Sequence, residues 1–182
     1  ENEIHPHRKL LLKKIIQTNP INSILEVGCA NGINLRMINK KIPGITLEGF
    51  DINKKALNEG VNELKKEKIK NVKLKYLRAK DLYLYDFNKF DVVFCDAVLM
   101  YIGSNNINKT IKEMVRISKK SVIICEQHTN GKSFYNDKWI HNYKTLLKDI
   151  SSIKSITFNS ISDDIWGGDW SKYGKIIVVE KK

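Results

Sequence analysis

Residues 24–35 read Ile-Leu-Glu-Val-Gly-Cys-Ala-Asn-Gly-Ile-Asn-Leu, and this stretch decides the fold. An aliphatic run ends at Gly28, the chain passes Gly32, and a helical pattern follows. This order predicts a strand, a glycine turn and a helix start, a geometry that lets the backbone approach a nucleotide-like ligand. Gly28 lacks the Cβ that would block such an approach, and Gly32 lets the helix pack close to the strand.

The same loop excludes two common nucleotide sites. It contains no Gly-Lys-Ser/Thr to hold a triphosphate with Mg²⁺, and the Gly-x-Gly-x-x-Gly pattern of dinucleotide sites is absent. Glu26, beside the loop, would repel a pyrophosphate but suits a ligand that carries an ammonium group. A sulfonium nucleoside with an amino-acid tail is such a ligand.

The stretch from Glu26 to Gly32 resembles motif I of the class I S-adenosylmethionine-dependent methyltransferases, usually Glu/Asp-x-Gly-x-Gly-x-Gly, with Ala30 in place of the middle glycine. Asp51 lies 23 residues after Gly28 and ends a second strand-like run, where an acid can accept both ribose hydroxyls. The alternative for Asp51 is a helix N-cap ahead of the next helical run. If Gly28 serves the cofactor, Gly28→Val should fold normally and fail to bind it.

Residues 90–102 resemble the fourth-strand motif of this family, whose end faces the methionine part of the cofactor. Arg78 stands where family members often carry an acid that accepts a hydrogen bond from the adenine amino group, and arginine cannot accept one. Either Asp81 takes that place, or adenine is held by the backbone of Ala79 and Lys80. The resemblance implies S-adenosylmethionine as the cofactor. It implies these contacts with it: Glu26, Gly28, Cys29, Ala30, Gly32, Asn34, Asp51, Ile52, Ala79, Lys80 and Asp96.

Strand-like and helix-like segments alternate along the chain, which predicts an α/β fold with a parallel sheet covered on both faces. The predicted fifth strand is 121–125, the sixth is 155–158 and the last is 175–179. The resemblance implies a Rossmann-like, seven-stranded, mostly parallel sheet with an antiparallel last strand. A chain of 182 residues is a one-domain length, so we interpret residues 1–182 as a single domain.

Composition limits the partners that we expect. The net charge is +12, but only four of the 32 basic residues are arginine and the lysines are spread along the chain, so we expect no nucleic-acid partner. No run of about 18 apolar residues exists, so we expect no membrane span. Three cysteines without metal-ligand spacing favour a reducing cytoplasm. The oligomeric state stays open.

Two segments are longer than a minimal connection requires, 126–141 and 160–174, and both are rich in aromatic and polar residues. This composition is typical of binding loops. We predict that they form the acceptor pocket, with Tyr101, Trp166 and Trp170 contacting the substrate. The alternative that the two tryptophans only cap the sheet edge stays equally open.

Methyl transfer from a sulfonium is an in-line displacement, so most of the catalysis can come from positioning and from excluding water. A base is needed only if the acceptor is a hydroxyl or a protonated amine, and His128, just past the fifth strand, is our candidate. The alternative is a hydrogen-bonded surface or loop histidine. His5 and His7 could fold over the cofactor, but we expect a disordered or tag-like end. We expect no metal, although Asp96 with 163–164 is a conceivable ligand set.

The sequence thus predicts a methyltransferase whose acceptor is a small polar molecule. The methylated atom is expected to be an oxygen of a sugar, of a nucleotide-linked sugar or of a related precursor of a surface polysaccharide. Two alternatives remain: an RNA or protein methyltransferase that uses the basic surface, and a catalytically silent, cofactor-binding partner subunit.

Overall fold

A computed structural model describes residues 4–131, 133–135 and 137–182. Nine strands are formed by these residues, and their bounds in chain order are Ser23–Val27 (β1), Thr46–Asp51 (β2), Val72–Tyr76 (β3), Phe90–Asp96 (β4), Ser118–Gln127 (β5), Ser133–Tyr135 (β6), Lys138–Ile140 (β7), Ile153–Ser160 (β8) and Gly174–Lys181 (β9). Seven of them make one sheet in the order β3-β2-β1-β4-β5-β9-β8. The first five are parallel, and β9 is antiparallel to both of its neighbours. The predicted sheet is confirmed.

The described helices cover both faces of this sheet. Their bounds are Pro6–Ile16 (α1), Ile33–Lys41 (α2), Lys54–Lys66 (α3), Ser104–Ile117 (α4), Tyr143–Leu147 (α5) and Asp169–Tyr173 (α6). The apolar sides of α1, α2 and α3 form one buried cluster with the sheet, and those of α4 and α5 form a second cluster on the opposite face. Within the described ranges, no helix is long and apolar enough to cross a membrane.

Strand β5 is longer than the predicted 121–125, because α4 ends at Ile117 and the chain enters the strand at once. The segment after β5, predicted as a binding loop, contains an antiparallel hairpin of β6 and β7. This hairpin packs on a short 3₁₀ turn, Leu99–Tyr101, that follows β4.

The parallel strands bring their carboxyl ends to one edge of the sheet. Val27, Asp51, Asp96 and Gln127 end β1, β2, β4 and β5 there. Ligands of open α/β sheets bind beyond this edge. The edge is therefore where the predicted site residues have to be sought.

Candidate active site

The loop between β1 and α2, residues 28–32, turns through three left-handed positions. The φ angles are 71° at Gly28, 46° at Ala30 and 72° at Gly32. The N–H groups of Gly28 and Cys29 both donate to the carbonyl of Phe50 at 2.9 Å, which ties the loop to β2. Ala30 adopts the backbone of the glycine that it replaces, at a strain of about 1 kcal/mol.

A side chain at Gly28 would meet the protein itself as well as a ligand. A Cβ built there lies 2.3 Å from Cγ2 of Val98, and the positive φ disfavours any L-residue. The expectation that Gly28→Val folds normally is therefore not supported by the structure.

Asp51 ties the loop to the end of β2 with both carboxylate oxygens. Oδ2 accepts from the N–H of Ala30 and Oδ1 from the N–H of Asn53, each at 2.8 Å. The N-cap of α3 is Asn53, whose side chain accepts from the N–H of Ala56, so the alternative reading of Asp51 as that cap is wrong. Each carboxylate oxygen keeps a second lone pair, and the pair can still receive the two ribose hydroxyls. Ile52 beside it is 65% exposed, an apolar surface next to a ribose site.

Glu26 is a buried carboxyl with one unsatisfied oxygen. Its Oε1 accepts from Nδ2 of Asn34 at 2.7 Å, whereas Oε2 is buried without a hydrogen-bond partner in the described part of the chain. Burial raises the pKa of Glu26 well above its ordinary value, and the charge of Asp96 raises it further, against the opposing hydrogen bond from Asn34. A buried acceptor without a donor is costly. An ammonium group would satisfy it, as the sequence predicts.

Asp96, at the end of β4, is held by three donors. His7 Nε2, Arg8 Nη1 and Asn34 Nδ2 each lie 3.1 Å from its Oδ2. Burial would raise the pKa of Asp96, but the hydrogen bond from His7 and the nearby positive charges outweigh it, so the pKa is lowered. Asp96 thus faces basic groups rather than the acids of the conceivable metal site, and no three metal-ligating side chains cluster among the residues described.

The amino-terminal segment forms a helix from Pro6, and its residues His7 and Arg8 contact Asp96, so our expectation of a disordered end is wrong. His7 is buried at 3% exposure. Arg8 also donates to Oδ1 of Asn34 at 2.7 Å. Sequence reasoning missed Arg8, although Pro6 at the first position of α1 is a helix-start signal that would have indicated an ordered segment.

At the predicted adenine end of the site, the carboxylate of Asp81 binds Arg78. Its Oδ2 accepts from both the backbone N–H and Nε of Arg78, at 3.2 Å each. Ala79 and Lys80 begin the 3₁₀ helix that runs from Ala79 to Leu84. The first N–H groups of a helix have no partner within it. Oδ2 of Asp81 is thus occupied by Arg78, and adenine recognition by the backbone of Ala79 and Lys80 stays a prediction.

His128 does not occupy the position of a base. Its ring packs on Phe158 at 4.9 Å between centroids, Nδ1 accepts from the N–H of Tyr143 at 3.2 Å, and Nε2 is buried. Burial lowers the pKa of His128, because the charged form is poorly solvated. Neither nitrogen is open to an acceptor, so the alternative of a hydrogen-bonded structural histidine fits better. His141 is also structural, with Nε2 3.0 Å from the carbonyl oxygen of Ile102.

The two predicted tryptophans stack on one another. The rings of Trp166 and Trp170 are 3.8 Å apart and 5° from parallel, and the His7 ring lies 4.0 Å from Trp166. Two rings this close to one centroid must occupy opposite faces, so Trp166 has no face left for an acceptor. The capping alternative therefore fits Trp166, which holds the His7 imidazole in place. Tyr101 is 65% exposed beyond β4.

The two long segments meet in a cavity of about 230 Å³. Its lining combines hydroxyl, aromatic and carboxylate side chains from both segments: Thr129, Ser133, Tyr135, Ile140, Asp169 and Tyr173. Asp169 directly precedes Trp170 in α6, so the cavity wall and the stacked tryptophans share one element. Sequence reasoning located the segments but not these residues.

Glu126 supports the turn that follows β4. Its Oε1 accepts from the N–H groups of Val98 and Leu99, both at 2.6 Å. Burial raises the pKa of Glu126 to about 8, against the opposing effect of these hydrogen bonds. Glu126 thus has a structural role that no local sequence signal indicates.

A family model described as a methyltransferase domain matches residues 20–177. The chain belongs to this methyltransferase domain family. Two uncharacterized proteins of Rickettsia prowazekii (strain Madrid E), RP028 and RP789, are each 26% identical to it, over 144 and 148 residues. These matches cover 78% and 79% of this chain but only 54% and 25% of the two relatives, so the chain spans about half of one and a quarter of the other.

Solved structures share the fold of this methyltransferase domain at low sequence identity. Magnesium protoporphyrin IX methyltransferase from Synechocystis PCC 6803 with bound SAM has a TM-score of 0.70 at 16% identity, over 97% of this chain and 80% of that one. The N-terminal domain of EvdMO1 with SAH and D-fucose has a TM-score of 0.74 at 14% identity, over 100% and 84%. The [4+2]-cyclase SpnF has a TM-score of 0.72 at 15% identity, over 96% and 81%.

S-adenosylmethionine is the cofactor of this family. The residues at the sheet edge fit it, since the unsatisfied Oε2 of Glu26 suits the ammonium group and Asp51 suits the ribose. Arg8, which reaches Asn34 beside Glu26, can pair with the carboxylate of the amino-acid tail.

Gly60 lets α3 pack close to the 28–32 loop. We predict that Gly60→Ala destabilises the domain, because the added methyl group overlaps this loop. A Cβ at Gly60 would lie 2.4 Å from the carbonyl oxygen of Asn31. Helix propensity alone would make this change stabilising by about 0.5–1 kcal/mol, whereas overpacking against backbone costs roughly 1–3 kcal/mol. Thermal unfolding should show a lower melting temperature, together with weaker binding of S-adenosylhomocysteine.

Gly131→Ala is the control, because no atom of the described residues lies within 4 Å of a Cβ built there. A higher melting temperature for Gly60→Ala than for the parent would contradict the close contact between α3 and the 28–32 loop.

Proposed function

We propose that this domain transfers a methyl group from S-adenosylmethionine to a hydroxyl oxygen of a small polyhydroxylated acceptor. The acceptor class is a sugar, a nucleotide-linked sugar or a related surface-polysaccharide precursor, and the setting is the cytoplasm. The cavity between the two long segments carries this proposal. Its volume of about 230 Å³ and its hydroxyl, carboxylate and aromatic lining suit a monosaccharide unit.

The position of the cavity supports the same reaction. Thr129 follows β5 and Asp169 begins α6, so the cavity opens at the edge where Asp51 and Asp96 end their strands. An acceptor held there lies on the same side of the sheet as the residues that fit the cofactor. Holding both reactants in line removes much of the entropic barrier to displacement.

The cofactor supplies an activated methyl group on a sulfonium, which needs little further activation. This chain binds and orients it: Glu26 at the ammonium, Arg8 at the carboxylate and Asp51 at the ribose. His7 and Trp166 lie over the end of β4 and exclude water from the buried side of Asp96. Excluding water strengthens these charge contacts.

A solved relative adds support for the acceptor class. The N-terminal domain of EvdMO1 was crystallised in the presence of SAH and D-fucose. D-fucose is therefore a reasonable first acceptor probe for this domain, together with a panel of nucleotide-linked sugars.

We predict that Asp169→Asn raises the KM for the methylated sugar about tenfold, because a charge-assisted hydrogen bond to a sugar hydroxyl is lost. Transfer of tritiated methyl groups to D-fucose or to the panel measures this effect. Asp164→Asn, at an exposed position outside the cavity, is the matched control and should leave KM unchanged. Equal KM values for both variants would show that this cavity is not the acceptor site.

The basic surface gives less support to an RNA or protein acceptor. A cavity of about 570 Å³ is lined by many lysines: Lys14, Lys119, Lys120, Lys154, Lys181 and Lys182. It lies where β5 and β8 begin and β9 ends, at the sheet edge opposite to Asp51 and Asp96. A polyanion bound there would be far from the residues that fit the cofactor.

A catalytically silent partner subunit is the second alternative. SpnF is described as a cyclase, so this fold also carries chemistry other than methyl transfer. Wild-type protein that binds S-adenosylhomocysteine but methylates no hydroxylated probe would favour this alternative.

A further inference from the structure

Three side chains at the sheet edge form one continuous chain of hydrogen bonds. His5 Nδ1 and His7 Nδ1 are 2.7 Å apart, and His7 Nε2 lies 3.1 and 3.2 Å from the two carboxylate oxygens of Asp96. Asp96 is buried at the end of β4, His7 is buried at 3% exposure, and His5 is exposed. The chain therefore runs from the interior to the surface.

The contacts fix where the protons can be. A carboxylate only accepts, so His7 must donate from Nε2. The short contact between the two Nδ1 atoms needs one proton between them. When both rings are neutral, that proton belongs to His5, whose Nε2 then carries a lone pair; His5 itself is exposed.

The protonated state also fits the same contacts. If the proton between the rings moves to His7, His7 becomes an imidazolium paired with Asp96. His5 Nδ1 then accepts from the ring of His7 and, more weakly, from its backbone N–H at 3.5 Å. The ring contacts thus serve both protonation states, whereas the contact from the backbone N–H of His7 is made only when the proton has moved to the ring of His7.

Packing holds this chain in place. The Trp166 ring lies 4.0 Å from the ring of His7 and 5.1 Å from that of His5, and Trp170 backs it. Asn34 donates to Asp96 and also to Glu26, which links the inner end of the chain to the cofactor residues. Asp169, in the wall of the cavity, directly precedes Trp170. Packing therefore connects the chain to the cofactor residues through Asn34, and to α6, which carries Asp169, through the stacked tryptophans.

We propose that His5 is the general base for a hydroxyl acceptor and that His7 and Asp96 are positioning residues that draw its proton inward. This inference rests on the proposed function, since only an acceptor hydroxyl or a protonated amine has a proton to remove. It assigns to the amino-terminal segment the role that the sequence suggested for His128.

The step balances without a further reactant. The acceptor oxygen forms its bond to the methyl carbon as the bond between that carbon and sulfur breaks, and the electron pair of the broken bond stays on sulfur. The hydroxyl proton goes to Nε2 of His5, and the proton on Nδ1 of His5 goes to Nδ1 of His7. The resulting imidazolium is stabilised by the carboxylate of Asp96.

The surroundings keep His5 able to accept a proton at neutral pH. Partial loss of hydration lowers the pKa of His5, the charges of His7 and Arg8 lower it further, and Asp96 raises it, with a net lowering. His7 and Arg8 belong to α1 and Asp96 to β4, while Trp166 adds no charge.

The first test is acceptor-independent and uses the full chain labelled with ¹⁵N-histidine and saturated with S-adenosylhomocysteine. We expect the ring of His5 to titrate below the ordinary histidine pKa, and Asp96→Asn should lower its midpoint by roughly one pH unit or more, because a favourable negative charge is lost. A His5 midpoint that Asp96→Asn leaves unchanged would overturn the proposal.

The second test measures methyl transfer to D-fucose. His5→Gln should lower kcat by roughly 10²–10⁴ with unchanged cofactor affinity. Its rate should also lose the acid limb of the pH profile. Lys9→Gln, an exposed change on the same helix, should behave as the parent. A parent-like rate and pH profile for His5→Gln would overturn the assignment. If the wild type binds S-adenosylhomocysteine but does not methylate D-fucose, the acceptor class fails, while the titration still decides whether the proton chain exists.

Discussion

Asp51→Ala is expected to weaken binding of S-adenosylhomocysteine by roughly 10- to 150-fold, a loss of about 1.5–3 kcal/mol from a charge-assisted bidentate contact with the ribose. Calorimetric titration measures this loss directly. The structure adds a second contribution, because the same carboxylate accepts from the N–H groups of Ala30 and Asn53 and so orders the 28–32 loop.

Asn53→Ala separates the two contributions. It removes the side-chain oxygen of the α3 N-cap, which accepts from the N–H of Ala56. The free energy of unfolding should fall by about 1 kcal/mol. The Asp51 carboxylate remains, so cofactor affinity should stay near the parent value. If both variants bind S-adenosylhomocysteine as tightly as the parent, Asp51 is not the ribose acceptor.

Glu26→Gln is expected to weaken binding by roughly 30- to 100-fold, because it removes the charge that pairs with the ammonium group and places an amide donor beside that group. The effect should depend on pH. Burial holds the pKa of Glu26 well above its ordinary value in the free protein, whereas a bound ammonium favours the ionised carboxylate. Binding should therefore release a proton, and affinity should rise with pH until the carboxyl is ionised before binding.

Calorimetry in two buffers of different ionisation enthalpy reports this proton release, and Glu26→Gln should abolish it. Glu48→Gln is the matched control, since Glu48 is a buried carboxyl on the neighbouring strand that pairs with Lys75 at 2.7 Å. Proton release of equal size in the parent and in Glu26→Gln would contradict the assignment of the ammonium site.

The raised pKa also has a consequence for stability. The folded protein binds the proton of Glu26 more tightly than the unfolded chain does. This difference stabilises the fold fully at pH values below the ordinary pKa of glutamate. It is lost as the pH rises through the folded pKa. Glu126 acts in the same direction, up to its pKa of about 8. The domain without cofactor should therefore lose stability as the pH rises from the ordinary pKa of glutamate toward about 8.

The sheet and the cofactor edge were predictable because their signals are local. Gly28 and Gly32 lie within one turn, and Asp51 ends a strand, where topology rather than packing sets its position. Parallel strands bring such ends together whatever the other side chains do. The same logic placed His128 correctly after β5 but could not orient it, because its orientation depends on packing against Phe158 and Tyr143.

The contacts that sequence reasoning missed are long-range. His7 and Asp96 are 89 positions apart, and no local pattern pairs them. The contact between Gly60 and Asn31 is also long-range. Helix propensity alone makes this glycine unfavourable in α3, whereas the structure shows that it leaves room for the 28–32 loop. Both cases need the arrangement of α1 and α3 over the sheet, which the sequence indicates only as amphipathic helices.

Calorimetric titration of the wild-type chain with S-adenosylhomocysteine tests the central claim most directly, that Glu26 and Asp51 form a cofactor site at this sheet edge. We predict one site per chain with a micromolar dissociation constant and a release of protons that rises toward low pH. A folded protein that shows no binding at millimolar S-adenosylhomocysteine would contradict the account.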